Sequence, residues 1–162
     1  MARQVVTSVQ CAGKLLALTQ DIRSLTLHQD LFGHQYFEVL VPFDNVEGPQ
    51  DAFFSKAHKR LLGQPLSIEL AAQPAQGGQN QLFVFRGLVT NITAGRDTDY
   101  VGSIVVRGYS PSYLLTDGLK RRTFVNQTLQ TIFTKVLQVY PSNLLEHSLK
   151  PRHSAPLPFV VQ

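Results

Sequence analysis

LFVFRGLVTNITAGRDTDYVGSIVVRGYSPSYLLTDGLKRRTFVNQTLQTIFTKVL, from Leu82 to Leu137, reads as strand, loop, strand, turn and amphipathic helix. In the first limb, Leu82 to Thr93, Phe83, Phe85, Val89 and Asn91 share one face, with Leu82, Val84, Arg86, Leu88 and Ile92 on the other. After the polar loop Ala94 to Thr98, the limb Asp99 to Tyr109 places Tyr100, Ile104 and Val106 opposite Val101, Val105 and Tyr109. Such alternation on both sides of a Gly-containing polar loop predicts a long antiparallel hairpin. Leu129, Ile132, Phe133, Val136 and Leu137 then recur at the spacing of one helical face, which the hairpin sheet is expected to cover. Thr128 is the predicted N-cap of this helix, with Ile132 and Phe133 as its structural anchors.

Upstream, the same period of two recurs. Val5, Val6 and Val9 mark a first strand, and Gly13 turns the chain into Lys14 to Leu18. Leu25 and Leu27 alternate with Ser24, Thr26 and His28, and Phe37, Val39 and Val41 alternate with Tyr36, Glu38 and Leu40. Asp51 to Leu62 is the exception: Phe53, Phe54, Ala57, Leu61 and Leu62 fall on one helical face, and Gly63 with Pro65 stops the helix. Leu66 to Ala71 returns to strand alternation, and Gln73 to Gln81 is rich in Gln, Gly and Pro as a hairpin tip is. After Pro141, a short helix is expected over Asn143 to Leu149, followed by an extended run from Pro151. The expected class is therefore mainly β, a β-rich α+β chain. Its antiparallel sheet would curl into a partly closed barrel carrying two or three short helices.

The length of 162 residues is enough for a core without metal or disulfide staples. Cys11 is the sole cysteine, which excludes an intrachain disulfide and is compatible with a reducing cytoplasm. No apolar run is long enough for a transmembrane helix, and Met1-Ala2-Arg3-Gln4 does not open a Sec signal. The net charge of +4 raises nucleic acid as a partner. Its carriers are dispersed as Lys56, Lys59 and Arg60, then Lys120 to Arg122, then Lys150 and Arg152, the pattern of solvated surfaces.

Candidate chemistry is sparse. Gly108-Tyr109-Ser110-Pro111-Ser112 departs from G-x-S-x-G at its last position, and Pro111 opposes the helix that a nucleophile elbow needs. A hydrolase using Ser110 is thus the weakest of the alternatives. His28, His34, His58, His147 and His153 form no helical i, i+4 pair and no H-x-H pair, so no metal and no cofactor are expected. An OB-like nucleic-acid-binding barrel using Arg86, Arg107 and exposed aromatics is the stronger alternative.

Several segments carry a resemblance. Phe85-Arg86-Gly87-Leu88-Val89-Thr90 resembles the F-x-G-hydrophobic-V-T strand of VgrG, the type VI secretion spike protein, and of contractile phage-tail hubs of the late control protein D type. Gly108 to Leu115 is similar to the segment that follows, and Arg122-Thr123-Phe124 with Asn126-Gln127-Thr128-Leu129 and Ile132 to the helix start beyond it. Ser24 to Gln29 and His34 to Val39 fit that family's first strands, and Pro158 to Gln162 its link onward. The resemblance implies a hub-like barrel domain over residues 1–140. Residues 141–162 would then be a short helix and link to a following domain absent from this chain. It implies a structural, non-enzymatic part of a spike or hub, trimeric in a longer parent and seated on a hexameric tube protein, Hcp-like or of tail-tube type, among other baseplate proteins. Gly95, Arg96, Asp97 and Thr98, together with Gln76 to Asn80, are the loops expected at such interfaces. The implied location is cytoplasmic during assembly, followed by export or injection without a signal peptide.

Overall fold

The computed structural model describes residues 5–46, 53–72, 81–94, 102–118, 120–145 and 150–161. They fall into two compact units, one within residues 1–110 and the other within 111–162.

In the first unit the elements are β1 (Val5–Cys11), β2 (Lys14–Leu18), β3 (Ser24–His28), β4 (Tyr36–Pro42), α1 (Phe53–Leu61), β5 (Pro65–Ala72), β6 (Gln81–Ala94) and β7 (Ser103–Tyr109). All seven strands join one antiparallel sheet in the order β2-β1-β5-β6-β7-β4-β3. Four of its pairings are between strands adjacent in sequence; β1 with β5 and β4 with β7 are the long-range ones. Alternation then places Val9, Ile68, Phe85, Val106, Val39 and Phe37 on a single face, where Ala57 and Leu61 of α1 join them in one buried core. Each such fully buried aliphatic or aromatic side chain contributes about 1.5–3 kcal/mol.

The mainly β, antiparallel expectation holds, but the sheet is not closed: β2 and β3 are free edges and do not pair with each other. Side chains do the joining instead. Leu16 and Ala17 of β2 share the core with Val39 and Val41 of β4, and Asn45 Nδ2 donates to the Leu16 carbonyl at 2.9 Å.

Two irregularities set which residues face inward. Across from β7, Val89 pairs with Gly108 and Asn91 with Arg107, leaving Thr90 as an extra residue. The bulge resets the alternation, so that Ile92 rather than Asn91 joins Val89 in the core and Asn91 is exposed. The expected face of the first limb is corrected accordingly. At the β1–β2 turn, Ala12 and Gly13 both have positive φ, 51° and 73°, as a two-residue turn of type I′ demands.

The second unit has a 3-10 turn over Pro111–Thr116, then β8 (Thr123–Gln127), α2 (Leu129–Leu137) and β9 (Leu157–Val161), with β8 and β9 antiparallel. Leu157 to Val161, expected as a link, is extended and forms half of this ladder. Asn126, with φ of 51°, leaves the ladder opposite Pro158, which has no N–H to offer it. Thr128 caps α2: its hydroxyl accepts from the Thr131 N–H at 3.2 Å. Ile132 and Leu137 are buried, but Phe133 is 38% exposed although it falls on the same face. α2 contacts β8 of its own unit. Of the helix expected over Asn143 to Leu149, residues 143–145 lie in a turn in which Leu144 and Leu145 both donate to the Pro141 carbonyl, and residues 146–149 lie outside the described residues.

Candidate interaction surface

The hub-type loops Gly95, Arg96, Asp97 and Thr98, and Gln76 to Asn80, lie outside the described residues. A different surface is assembled by the long-range β4–β7 pairing. On the face of the sheet opposite the core, Tyr36 stands across from Tyr109 and Glu38 across from Arg107, while Arg107 also pairs with Asn91 at the bulge. These residues, with Thr90 and Thr93, line an open depression of about 490 Å³.

Arg107 Nε and Glu38 Oε2 form an ion pair at 2.5 Å. Both side chains remain partly in water, so the pair is worth at most about 1 kcal/mol to stability. Its larger effect is on recognition: Arg107 is neutralised where an anion would otherwise meet it. One row along, the His28 ring stacks on Tyr36 with centroids 5.1 Å apart. The β3–β4 register that pairs these two residues explains the cross-strand role of His28. Arg86 pairs with Ser67, five residues along β6 from the Asn91 that faces Arg107. The two arginines expected of an OB-like surface are therefore not gathered into one basic groove.

Ser110 follows β7, its N–H donating to the Gln35 carbonyl, and the chain continues into the 3-10 turn rather than an α-helix. That is not the strand-to-helix elbow that exposes a serine nucleophile. Among the described residues no three of His, Cys, Asp and Glu gather as metal ligands. Among the described residues no helix is long and apolar enough to cross a membrane.

Sequence reasoning missed two features. The Glu38–Arg107 pair depends on which non-adjacent strands meet, and nothing local in the sequence announces that. The β3–β4 tip did carry a signal: bulky Leu31 and Phe32 stand between Asp30 and Gly33. Asp30 Oδ1 accepts from the Phe32 N–H at 3.0 Å, a turn that leaves both apolar side chains almost fully exposed. The surface as a whole suits contact with another protein: aromatic edges, a compensated ion pair and protruding apolar groups.

No protein-family model matches the chain, and no curated protein matches it significantly in sequence. Solved structures do match. The 43 kDa tail protein of prophage MuSo2 from Shewanella oneidensis is similar over 97% of this chain and 43% of its own, with 14% identity and a TM-score of 0.58. A lidless PdpA–VgrG complex is similar over 99% of this chain and 29% of the matched one, with 12% identity and a TM-score of 0.60. A half-lidded Francisella PdpA–VgrG complex matches over 98% and 25%, with 13% identity and a TM-score of 0.55. The chain thus spans less than half the length of each of these proteins.

Proposed function

We propose that this chain, whose fold is of the VgrG and baseplate-hub type, is a structural component of the spike or hub of a contractile injection machine. The observation that carries the reading is fold likeness over 97–99% of the chain to a prophage tail protein and to a chain of a PdpA–VgrG complex. In this reading the chain contributes to a trimeric ring that joins the spike to a hexameric tube. Its partners are then other copies of the parent chain, the tube protein and neighbouring baseplate proteins, with Gly95 to Thr98 at a subunit contact. The protein would be assembled in the cytoplasm and leave the cell with the particle.

The test is genetic and structural. Particles purified from a strain lacking the coding gene are imaged by negative-stain electron microscopy, and the chain is mixed with the tube protein of the same cluster for light scattering. Particles that fail to assemble or lack the spike, with co-migration of chain and tube protein, are expected. Normal contractile particles together with no association would overturn the reading.

A further inference from the structure

We propose that the outer face of the β8–β9 ladder is a docking surface for an acidic polypeptide segment carrying apolar side chains. The first observation is the division of charge. Residues 1–110 hold nine Lys and Arg against nine Asp and Glu, whereas residues 111–162 hold six against two, so the whole net charge of +4 resides in the C-terminal unit. Lys120, Arg121, Lys150 and Arg152 are exposed there, and among the described residues none of them meets a carboxylate. Lys120 to Arg122 run directly into β8 at Thr123, the residue paired with Val161 at the end of β9.

The second observation is the apolar surface of the two strands into which Lys120 to Arg122 lead. Val125 pairs with Phe159, and Val161 lies two residues further along the same face; they are 60%, 63% and 65% exposed. Three large apolar side chains so exposed on two short strands make a contiguous patch rather than scattered surface residues.

Charge selects the occupant. A second copy of the same face brings like charges together and is disfavoured. A nucleic acid matches the charge but not the aliphatic centre formed by Val125 and Val161, which offers phosphates no donor and bases only the ring of Phe159 for stacking. An acidic segment satisfies both halves: its apolar side chains cover the patch while its carboxylates meet Lys120 and Arg121 at the rim. Such a contact is independent of whether the chain belongs to a spike hub.

The experiment titrates the full chain into a fluorescent peptide that alternates Glu with Val and Leu, reading anisotropy at low and high salt. Saturable binding that weakens with salt is expected. Arg121→Glu and Phe159→Ser should each weaken it roughly fivefold or more, the size of a meaningful interface truncation. If Phe159→Ser lowers the melting temperature, Val125→Thr, which keeps a β-branched residue, replaces it. Equal or tighter binding of the Lys-for-Glu peptide or of oligothymidylate, or affinity unchanged in both apolar variants, overturns the proposal.

Discussion

Phe37 and Gly108 stand opposite each other in the β4–β7 ladder, and the Phe37 ring occupies the space that a side chain on Gly108 would need. A Cβ there would lie 2.7 Å from the Phe37 ring and collide with the carbonyl of Leu88 on β6. Gly87, next to the same ring carbon, would place a Cβ 2.6 Å from it, but its close neighbours are all side chains. Phe85 meets the ring edge-on at 5.9 Å between centroids. The glycine of the F-x-G segment and the Gly108 that ends β7 are thus two walls of one slot for a fully buried phenylalanine.

Gly108→Ala should therefore cost more than Gly87→Ala, because rings can shift and a paired backbone cannot. Overpacking a core typically costs about 1–3 kcal/mol. Gly87→Ala is expected within that range and Gly108→Ala at or above its upper end, both measured by urea unfolding. Two variants indistinguishable from the parent would remove the slot as a stabilising feature.

Ala12 is a residue at odds with its backbone. Its φ of 51° is left-handed, a conformation that costs a side-chain-bearing residue about 1–2 kcal/mol, and Gly13 beside it completes the type I′ turn. Asparagine is tolerated there because its short amide bonds locally to the backbone. Ala12→Asn is expected to stabilise the chain by about 0.5–1 kcal/mol, and Ala12→Val to destabilise it. Matched thermal melts of the three proteins decide it.

Much of this architecture is legible from local pattern. The hairpin from Leu82 to Tyr109 follows from alternation, α1 from apolar spacing and a Gly–Pro stop, and the start of α2 from Thr128. What escapes is set by partners distant in sequence. Thr90 becomes a bulge only because β7 pairs around it, and that one extra residue exchanges Asn91 for Ile92 in the core. Leu157 to Val161 reads as a link, because its pairing with Thr123 to Gln127 closes across some thirty residues. The open sheet edge is equally non-local: alternation predicts strands, but closure depends on whether β2 and β3 meet. At the candidate surface the tyrosines and Arg107 were visible as strand residues, whereas the neutralising Glu38 needed the β4–β7 register. The loop Gly95 to Thr98 lies outside the described residues.

Cys11 gives a pH-dependent prediction. It is buried in the core at the end of β1, and burial pushes its thiol up to about 11, with Arg60 pulling weakly the other way. Below pH 9 the thiol is protonated in both folded and unfolded chains and adds no pH dependence. As pH rises from about 9 towards 11 the unfolded chain ionises first, so stability falls through that window. Cys11→Ala should be less stable overall yet show a shallower decline there. In the native protein at pH 8, a thiol reagent should label Cys11 only at the rate of opening. Immediate stoichiometric labelling would show that the thiol is accessible.

Ile132 and Phe133 are neighbours in α2 with opposite surroundings: Ile132 is buried and Phe133 is 38% exposed. The amphipathic pattern alone makes Phe133→Asp the variant that should abolish packing. The structure transfers that weight to Ile132, whose truncation leaves a cavity, and to Leu137 one turn on. Ile132→Ala is expected to cost about 2–4 kcal/mol. Phe133→Ala should cost about 1 kcal/mol or less, since it leaves less apolar surface to be uncovered. Because the chain forms two compact units, the readout must be local. Hydrogen exchange of the α2 amides provides it: protection should collapse in Ile132→Ala and persist in Phe133→Ala. The reverse ranking would mean that Phe133, in spite of its exposure, anchors the helix.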